Sequence, residues 1–233
     1  MKRSPARIVT LPELRDRTGV FRDRAHAGEV LAGMLAAGLP HRALLLAIPA
    51  GGVPVGAEIA RRLGWPLDLA VVSKVLVPWD TEAGYGAVAY DGTVRLNEPL
   101  VAALGLSRET VEAGVAATRE RVARRVRTLR GSRPLPALGA VPAVLVDDGL
   151  ASGFTMRVAI EALRNGGATA VHVAVPTGHL DAVERLAPTV DSLFCANVRG
   201  GRSFAVAAAY RSWADVSEEQ VRAILAPAGS AAP

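Results

Sequence analysis

Short runs of apolar residues alternate along the chain with segments in which apolar side chains recur every three or four positions. The continuous runs predict strands that are buried on both faces, and the periodic segments predict amphipathic helices. Gly, Pro and Asp mark most of the boundaries between them. Strands are predicted at 43–48, 67–73, 141–146, 168–175 and 190–197, and helices at 23–38, 54–64, 107–130, 155–166 and 180–187.

Strands that alternate with helices predict an α/β fold of the Rossmann-like, doubly wound type, with a mainly parallel sheet covered on both faces. The segment 84–98 differs, because Asp91 and Gly92 between two apolar stretches predict an antiparallel hairpin. We interpret this hairpin as a small hood region. Three units are expected: an N-terminal extension over 1–20, a single domain over 21–228 and a frayed tail over 229–233.

The composition is that of a globular protein. Half of the 233 residues are hydrophobic and 21% are charged, which excludes intrinsic disorder. The single cysteine, Cys195, cannot form an intramolecular disulfide, and no apolar run reaches the ~20 residues that a membrane span needs. We therefore expect a cytoplasmic protein that has no membrane partner.

The positive charge of the chain is local. The net charge is +5, and the segment 119–130 carries six arginines and one glutamate, which equals the whole excess. No aromatic residue lies between Tyr90 and Phe154, so this segment lacks a stacking platform and nucleic acid is disfavoured as a partner. A solvated helix face is the preferred interpretation, and an interface with an acidic partner or a second subunit, as in a homodimer, is the alternative.

The richest candidate site is the sequence VLVDDGLASGFTM at 144–156, where a buried strand runs into a loop and then a helix. Ligands of open α/β sheets bind at the carboxyl ends of strands. The small residues of this loop and the helix N-terminus that follows it suit a phosphate. Asp147 and Asp148 cannot contact the same phosphate, because like charges repel, so they are expected to bind hydroxyl groups or a divalent cation. A sugar phosphate satisfies both requirements.

The segment 144–156 resembles the phosphoribosyl-diphosphate (PRPP) signature of the type I phosphoribosyltransferases, with Ser152 where threonine is usual and with Gly153 and Thr155 matching. Three further stretches are similar to a bacterial and archaeal group of this family whose acceptor is generally unassigned. These stretches are FRDRAHAGEVLAGML at 21–35, LAIPAGGVPVGAEIARRL at 46–63 and GAVAYDGTVRLNE at 86–98. The resemblance extends from Phe21 to about Leu225.

The resemblance implies a PRPP site and a role for each residue in it. Asp147 and Asp148 would bind the ribose hydroxyls and help to position Mg²⁺, the implied cofactor, through water. The loop that would bind the 5′-phosphate consists of Gly149, Leu150, Ala151, Ser152, Gly153, Phe154 and Thr155. The loop that would bind pyrophosphate, often through a non-proline cis peptide, consists of Pro49, Ala50, Gly51 and Gly52.

This chain departs from the family pattern on the pyrophosphate side. Relatives usually carry a basic residue, most often Arg, where this chain has Ala50. Loss of one charge-assisted hydrogen bond would cost about 1.5–3 kcal/mol of binding free energy. Lys74 is the candidate substitute, because it lies at the end of the second strand, where relatives carry an Arg-Lys pair and this chain has Ser73 before the lysine.

The expected function is a Mg²⁺-dependent transfer of 5-phosphoribosyl from PRPP to a small nitrogenous acceptor, with Asp147, Asp148 and Lys74 as catalytic residues. A regulatory protein that binds PRPP or a nucleoside monophosphate without catalysis is the alternative, and a hydrolase or phosphorylase acting on ribosyl phosphates is a weaker one. The acceptor and the oligomeric state stay open. An aromatic face for a base could come from Trp79, Tyr85, Phe204 or Tyr210, although core packing is favoured for each.

Overall fold

The computed structural model describes residues 7–39, 42–80, 83–131 and 137–226, which form nine strands and seven α-helices within those ranges. The strands are β1 (Arg7–Val9), β2 (Leu44–Ala47), β3 (Leu67–Leu69), β4 (Val72–Leu76), β5 (Gly84–Ala89), β6 (Val94–Leu96), β7 (Ala143–Val146), β8 (Val171–His179) and β9 (Ser192–Arg199). The helices are α1 (Arg24–Gly38), α2 (Gly52–Leu63), α3 (Glu98–Ala103), α4 (Arg108–Arg130), α5 (Phe154–Asn165), α6 (Leu180–Leu186) and α7 (Glu218–Leu225).

A six-stranded sheet forms the centre of the fold, with the strand order β1-β9-β8-β7-β2-β3 and every pairing parallel. One face packs against α1 and α2, and the other packs against α5 and α6. Neighbouring residues of one strand therefore pack into two different cores: Leu45 faces α1 and α2, whereas Leu46 faces α5. Burial on both faces explains the continuous apolar runs and confirms the predicted α/β class.

The pairing of β2 with β7 positions the candidate site. The register places Ala47 opposite Val146, so the two strands end side by side. Ile48 then donates a backbone hydrogen bond of 2.8 Å to the Val146 carbonyl. As a result, the loop at 49–52 and the acidic pair at 147–148 leave the same edge of the sheet together.

A smaller antiparallel sheet, β4-β5-β6, lies beside the central one. It contains the predicted hairpin, and Gly92 in its turn has a φ of 90°. The strand predicted at 67–73 is in fact divided: Leu67–Leu69 pairs with β2, whereas Val72–Leu76 pairs with β5. The division lies at the passage from one sheet to the other, where the apolar run Ala70–Val71 stays buried and so hides the boundary in the sequence.

Part of the described N-terminal segment adds a strand to the central sheet. Strand β1 extends the sheet beside β9, and Asn197 donates a side-chain hydrogen bond of 3.2 Å to the Arg17 carbonyl. Isolated apolar positions between charges are what an edge strand needs, which is why this segment lacks a buried-strand pattern. The predicted tail at 229–233 lies outside the described residues, and the domain boundaries stay predictions.

The Arg-rich segment belongs to α4, and two of its arginines form ion pairs with other elements, of which Arg130 is buried and not solvated as predicted. Arg130 forms a 2.8 Å ion pair with Asp68, with only 2% of its side chain exposed, and Arg125 forms a 3.0 Å ion pair with Glu218. These contacts tie α4 to the edge of the central sheet and to α7. Arg119, Arg124 and Arg127 are exposed, as a solvated face predicts. Within the described ranges, none of the helices has the length and apolar character that crossing a membrane requires.

We expect Asp68→Ala to lower the free energy of unfolding by about 2–4 kcal/mol, because it leaves the buried Arg130 guanidinium without its carboxylate. Thermal unfolding followed by circular dichroism measures the change. Glu112→Ala is the matched control, since it breaks the Arg108–Glu112 pair, in which both side chains are exposed, and should cost less than about 0.5 kcal/mol. Equal losses in the two variants would contradict the structural role given to Arg130.

Candidate functional site

Two aspartates follow the last residue of β7 and are partly buried beneath the loops around them. The backbone N–H of Asp148 donates a 2.9 Å hydrogen bond to Asp147 Oδ1, which fixes the first carboxylate against the turn. Tyr210 Oη donates a 2.6 Å hydrogen bond to the Asp148 carbonyl. The strand end therefore presents both carboxylates from a rigid turn.

The loop after the acidic pair leads directly into the N-terminus of α5, where free backbone N–H groups can bind an anion. Gly153 caps the helix with a φ of 74°, a conformation that glycine adopts without strain. Phe154 N–H donates to Ser152 Oγ at 3.3 Å. The first N–H groups of a helix have no partners within it, so Thr155 and the loop before it present donors and a favourable dipole.

Leu150 is an exception within this loop. Its N–H donates to the Thr177 carbonyl at 2.9 Å and its carbonyl accepts from His179 N–H at 2.8 Å, so it pairs with β8. Its amide is thus already used, contrary to the expectation that the Leu150 amide binds phosphate. The contact anchors the base of the loop and leaves Ala151, Ser152, Gly153, Phe154 and Thr155 to form its tip.

Glycines allow the loop at 49–52 to lie directly against the acidic pair. A Cβ atom on Gly51 would overlap the Asp148 carboxylate, and one on Gly52 would lie 2.6 Å from the Val146 carbonyl oxygen. Any side chain at either position would push the two loops apart. The peptide bond between Pro49 and Ala50 is cis, the feature that the family resemblance leads one to expect in this loop.

Arg24, in the first turn of α1, contacts the acidic pair, and sequence reasoning did not identify it. Its Nε lies 2.9 Å from Asp148 Oδ2, and its Nη1 donates a 2.7 Å hydrogen bond to the Ala214 carbonyl. The guanidinium carbon lies 3.8 Å from the ring centroid of Trp213, a cation–π contact. Only 11% of the arginine side chain and 15% of the Asp148 side chain are exposed.

Two segments that are distant in sequence hold Arg24 in place. Phe21 is fully buried and forms a parallel bridge with Tyr210, and the two rings lie 5.6 Å apart. Asp23 then caps α1 by accepting a 2.8 Å hydrogen bond from His26 N–H. The signal for this arrangement is the FRDR sequence at 21–24, in which a buried aromatic and then a helix cap precede the arginine that begins α1.

The four aromatic residues considered for stacking on a base lie in different parts of the fold. Tyr85 is buried, and Gly114 of α4 comes so close to its hydroxyl that no Cβ fits there. Trp79 is 68% exposed, and Phe204 packs edge-on against His179 at 5.5 Å. Only Tyr210 touches the acidic pair in the described part of the chain, through its hydroxyl.

Lys74 lies on β4 of the antiparallel sheet with an exposed side chain. It pairs in register with Ala87, and its side chain is so close to Gly84 that a Cβ there would lie 3.0 Å from Lys74 Cβ. Among the described residues, the hydrogen bonds to the two carboxyl side chains come from Arg24 and from the turn itself. The structure thus brings Asp147, Asp148 and the loop at 49–52 together, but it records no contact between Lys74 and this group.

Burial governs the electrostatics of the acidic pair. It raises the pKa of Asp147 well above the usual range, and the neighbouring Asp148 charge raises it further. Burial also raises the pKa of Asp148, although the Arg24 guanidinium opposes this shift. The carboxylates are therefore destabilised in the free protein and favour any ligand that supplies positive charge or hydroxyl donors.

We expect Asp147→Asn to stabilise the protein at pH 7 by about 1 kcal/mol. Because the folded-state pKa is raised, the native chain binds more protons than the unfolded chain between the ordinary and the raised pKa, so stability falls as pH rises through that window. The advantage of the variant should shrink as the pH is lowered toward about 4. Denaturant unfolding at several pH values measures it, with exposed Asp215→Asn as the control. A less stable variant at pH 7 would refute the assignment.

Comparison with known proteins identifies the family. A family model described as a phosphoribosyl transferase domain matches residues 39–209. Two curated relatives from Mycobacterium tuberculosis, MT0597 of strain CDC 1551 and Rv0571c of strain H37Rv, carry the name phosphoribosyl transferase as a provisional assignment. Each is 38% identical over 209 residues, which is 88% of this chain and 46% of the relative. The chain thus spans about half the length of these relatives.

A solved structure shares the fold at a similar level of identity. The protein TT1426 from Thermus thermophilus is 37% identical and superimposes with a TM-score of 0.70, covering 88% of this chain and 97% of TT1426. The region that the family model matches includes both loops and the acidic pair between them. These findings confirm the resemblance that the sequence motifs indicate: the chain belongs to the type I phosphoribosyltransferase family.

Proposed function

We propose that this protein transfers the 5-phosphoribosyl group of PRPP to a small nitrogenous acceptor and releases pyrophosphate. The observation that carries the proposal is the contact between the two loops: Gly51 lies against the Asp148 carboxylate, beside the loop that opens α5. One ligand that carries a monophosphate, a diol and a diphosphate can therefore contact the loop at 151–155, the two carboxylates and the loop at 49–52 at the same time.

In the proposed binding mode, the phosphate, the ribose hydroxyls and the diphosphate of PRPP each contact a different group of residues. The 5′-phosphate binds to the tip of the loop at 151–155, where helix N–H groups and the Ser152 and Thr155 hydroxyls supply donors. The ribose hydroxyls bind to Asp147 and Asp148. The diphosphate binds to the backbone of the loop at 49–52, since a glycine backbone permits close approach.

The proposed reaction is a displacement at the anomeric carbon of the ribose. The bond from that carbon to the pyrophosphate oxygen breaks, the oxygen keeps the electron pair, and the acceptor nitrogen forms the new bond and loses its proton. The transition state resembles an oxocarbenium ion, so the protein must stabilise the departing anion and the developing positive charge of the ribose. The carboxylates of Asp147 and Asp148 suit the second task.

The donor set of the acidic pair fits Mg²⁺, the cofactor of the proposed reaction. Two carboxylates from one turn match the preference of Mg²⁺ for one or two carboxylates, waters and substrate phosphates, and this preference needs no larger cluster of protein ligands. No group of three or more metal-binding side chains occurs in the described ranges. Bound there with PRPP, the ion would neutralise diphosphate charge, while Asp147 and Asp148 orient the ribose.

Binding without catalysis is the second candidate function. Ala50 leaves the loop at 49–52 without a cationic side chain, and Asp148 is paired with Arg24 in the free protein. A protein that keeps the phosphate loop but lacks the pyrophosphate contacts would bind a nucleoside monophosphate and release no pyrophosphate. Measurement of pyrophosphate release over a panel of nitrogenous bases distinguishes the two candidates.

We expect PRPP with Mg²⁺ to raise the melting temperature, because a ligand that binds only the native state stabilises it. In the double variant Asp147→Asn/Asp148→Asn this shift should disappear. Differential scanning fluorimetry at millimolar PRPP measures both. Absence of a shift in the unmodified protein at that concentration would refute the proposed function.

Gly51→Ala should weaken PRPP binding at least tenfold, about 1.4 kcal/mol, because the added methyl group displaces the Asp148 carboxylate. Isothermal titration calorimetry measures the affinity. Gly33→Ala is the matched control: Gly33 lies in α1 with no atom within 4 Å of the added methyl group, so the affinity should not change. Unchanged affinity in Gly51→Ala would contradict the proposed position of the diphosphate.

A further inference from the structure

The proposed reaction needs a cation where the diphosphate leaves. Pyrophosphate is strongly anionic, and the loop at 49–52 offers backbone groups and no cationic side chain. The Asp148 carboxylate beside Gly51 adds negative charge to the same place. A protein group that stabilises the departing anion must therefore come from another element of the fold.

Arg24 and the loop at 49–52 meet at one oxygen atom. Asp148 Oδ2 accepts the hydrogen bond from Arg24 Nε, and it is also the atom that a Cβ on Gly51 would overlap. The packing of the two helices accounts for this proximity. Gly28 of α1 lies against the Val55 carbonyl of α2, and one turn earlier come Arg24 of α1 and Gly51, the residue before α2.

The guanidinium is fixed before any ligand binds. The Trp213 ring lies 3.8 Å from the guanidinium carbon, the Ala214 carbonyl accepts from Nη1 and Asp148 accepts from Nε. A guanidinium has more N–H donors than these two hydrogen bonds use, and its planar fork matches phosphate oxygens. Arg24 is thus a cation already held in place beside Asp148 Oδ2, so little side-chain entropy is lost when a ligand binds.

We propose that Arg24 is the pyrophosphate-binding cation of this protein and replaces the basic residue that the loop lacks at Ala50. Its positive charge binds the diphosphate of PRPP and stays on the guanidinium while the anion departs. As the ligand binds, Asp148 exchanges its ion pair with Arg24 for the ribose hydroxyls. This inference rests on the proposed phosphoribosyl transfer, and it assigns to Arg24 the role that the sequence alone suggested for Lys74.

Isothermal titration with Mg-pyrophosphate and with ribose 5-phosphate, used as separate probes, tests the proposal. Arg24→Gln should weaken Mg-pyrophosphate binding about tenfold to hundredfold and leave ribose 5-phosphate binding within about fivefold. Arg24→Lys keeps the charge without the fork, so its loss should be smaller. Arg125→Gln removes an arginine that is paired with a carboxylate elsewhere in the fold and should leave both affinities unchanged.

A second comparison separates direct binding from an effect through Asp148. In an Asp148→Asn background, Arg24→Gln should still weaken Mg-pyrophosphate binding about tenfold. No further loss in that background, or a larger loss in Lys74→Ala than in Arg24→Gln, would overturn the proposal.

Titration of the same proteins with PRPP, beside Mg-pyrophosphate, distinguishes this inference from the function on which it rests. If the unmodified protein binds PRPP and Arg24→Gln binds it equally well, only the role of Arg24 is wrong. If the unmodified protein binds neither PRPP nor pyrophosphate, the proposed function fails and the role of Arg24 fails with it. Circular dichroism and the melting temperature of each variant establish that it is folded.

Discussion

The side-by-side ending of β2 and β7 is the constraint on which the candidate site depends. Two parallel neighbours in register place their loops at one edge of the sheet, and the hydrogen bond from Ile48 to the Val146 carbonyl holds the two loops close together. Only glycine at 51 and 52 is compatible with that distance. The sheet, not the loops, therefore determines the spacing between the carboxylates and the backbone that is proposed to bind pyrophosphate.

Only one of the two carboxylates at the candidate site has a cationic partner among the described residues. Burial raises the pKa of Asp147, and the charge of the neighbouring Asp148 raises it further, so the charged form of the pair is destabilised. Arg24 compensates one of the two charges, and Trp213 covers the guanidinium, so the pair is shielded from water. Functional sites often keep such arrangements although they lower stability, since the same destabilised groups bind the ligand.

The sequence predicted the layers of the fold and the two loops well, because each depends on local signals. Apolar runs identify strands buried on both faces, and Asp147 to Thr155 are contiguous. It did not predict where the run at 67–73 divides into two strands. Ala70 and Val71, which connect the two strands, are as buried as the strands themselves, so the apolar pattern is unbroken. It missed Arg24 because the partners of this residue, Asp148 and Ala214, are distant in sequence. Lys74 was predicted as the missing cation from its position at the end of a strand. The position of Arg24 beside Asp148 depends on the packing of α1 and α2, which the sequence does not reveal.

The contact between Arg24 and the Ala214 carbonyl joins residues that are 190 positions apart. Closing so long a loop has a high entropic cost, and contacts of high sequence separation slow folding. The parallel bridge between Phe21 and Tyr210 has the same character. During synthesis the central strands leave the ribosome long before Trp213 and Ala214, so the sheet can assemble while Arg24 still lacks its surroundings. Arg24 therefore gains its full surroundings only after the segment at 210–214 has been synthesised and packed against the sheet.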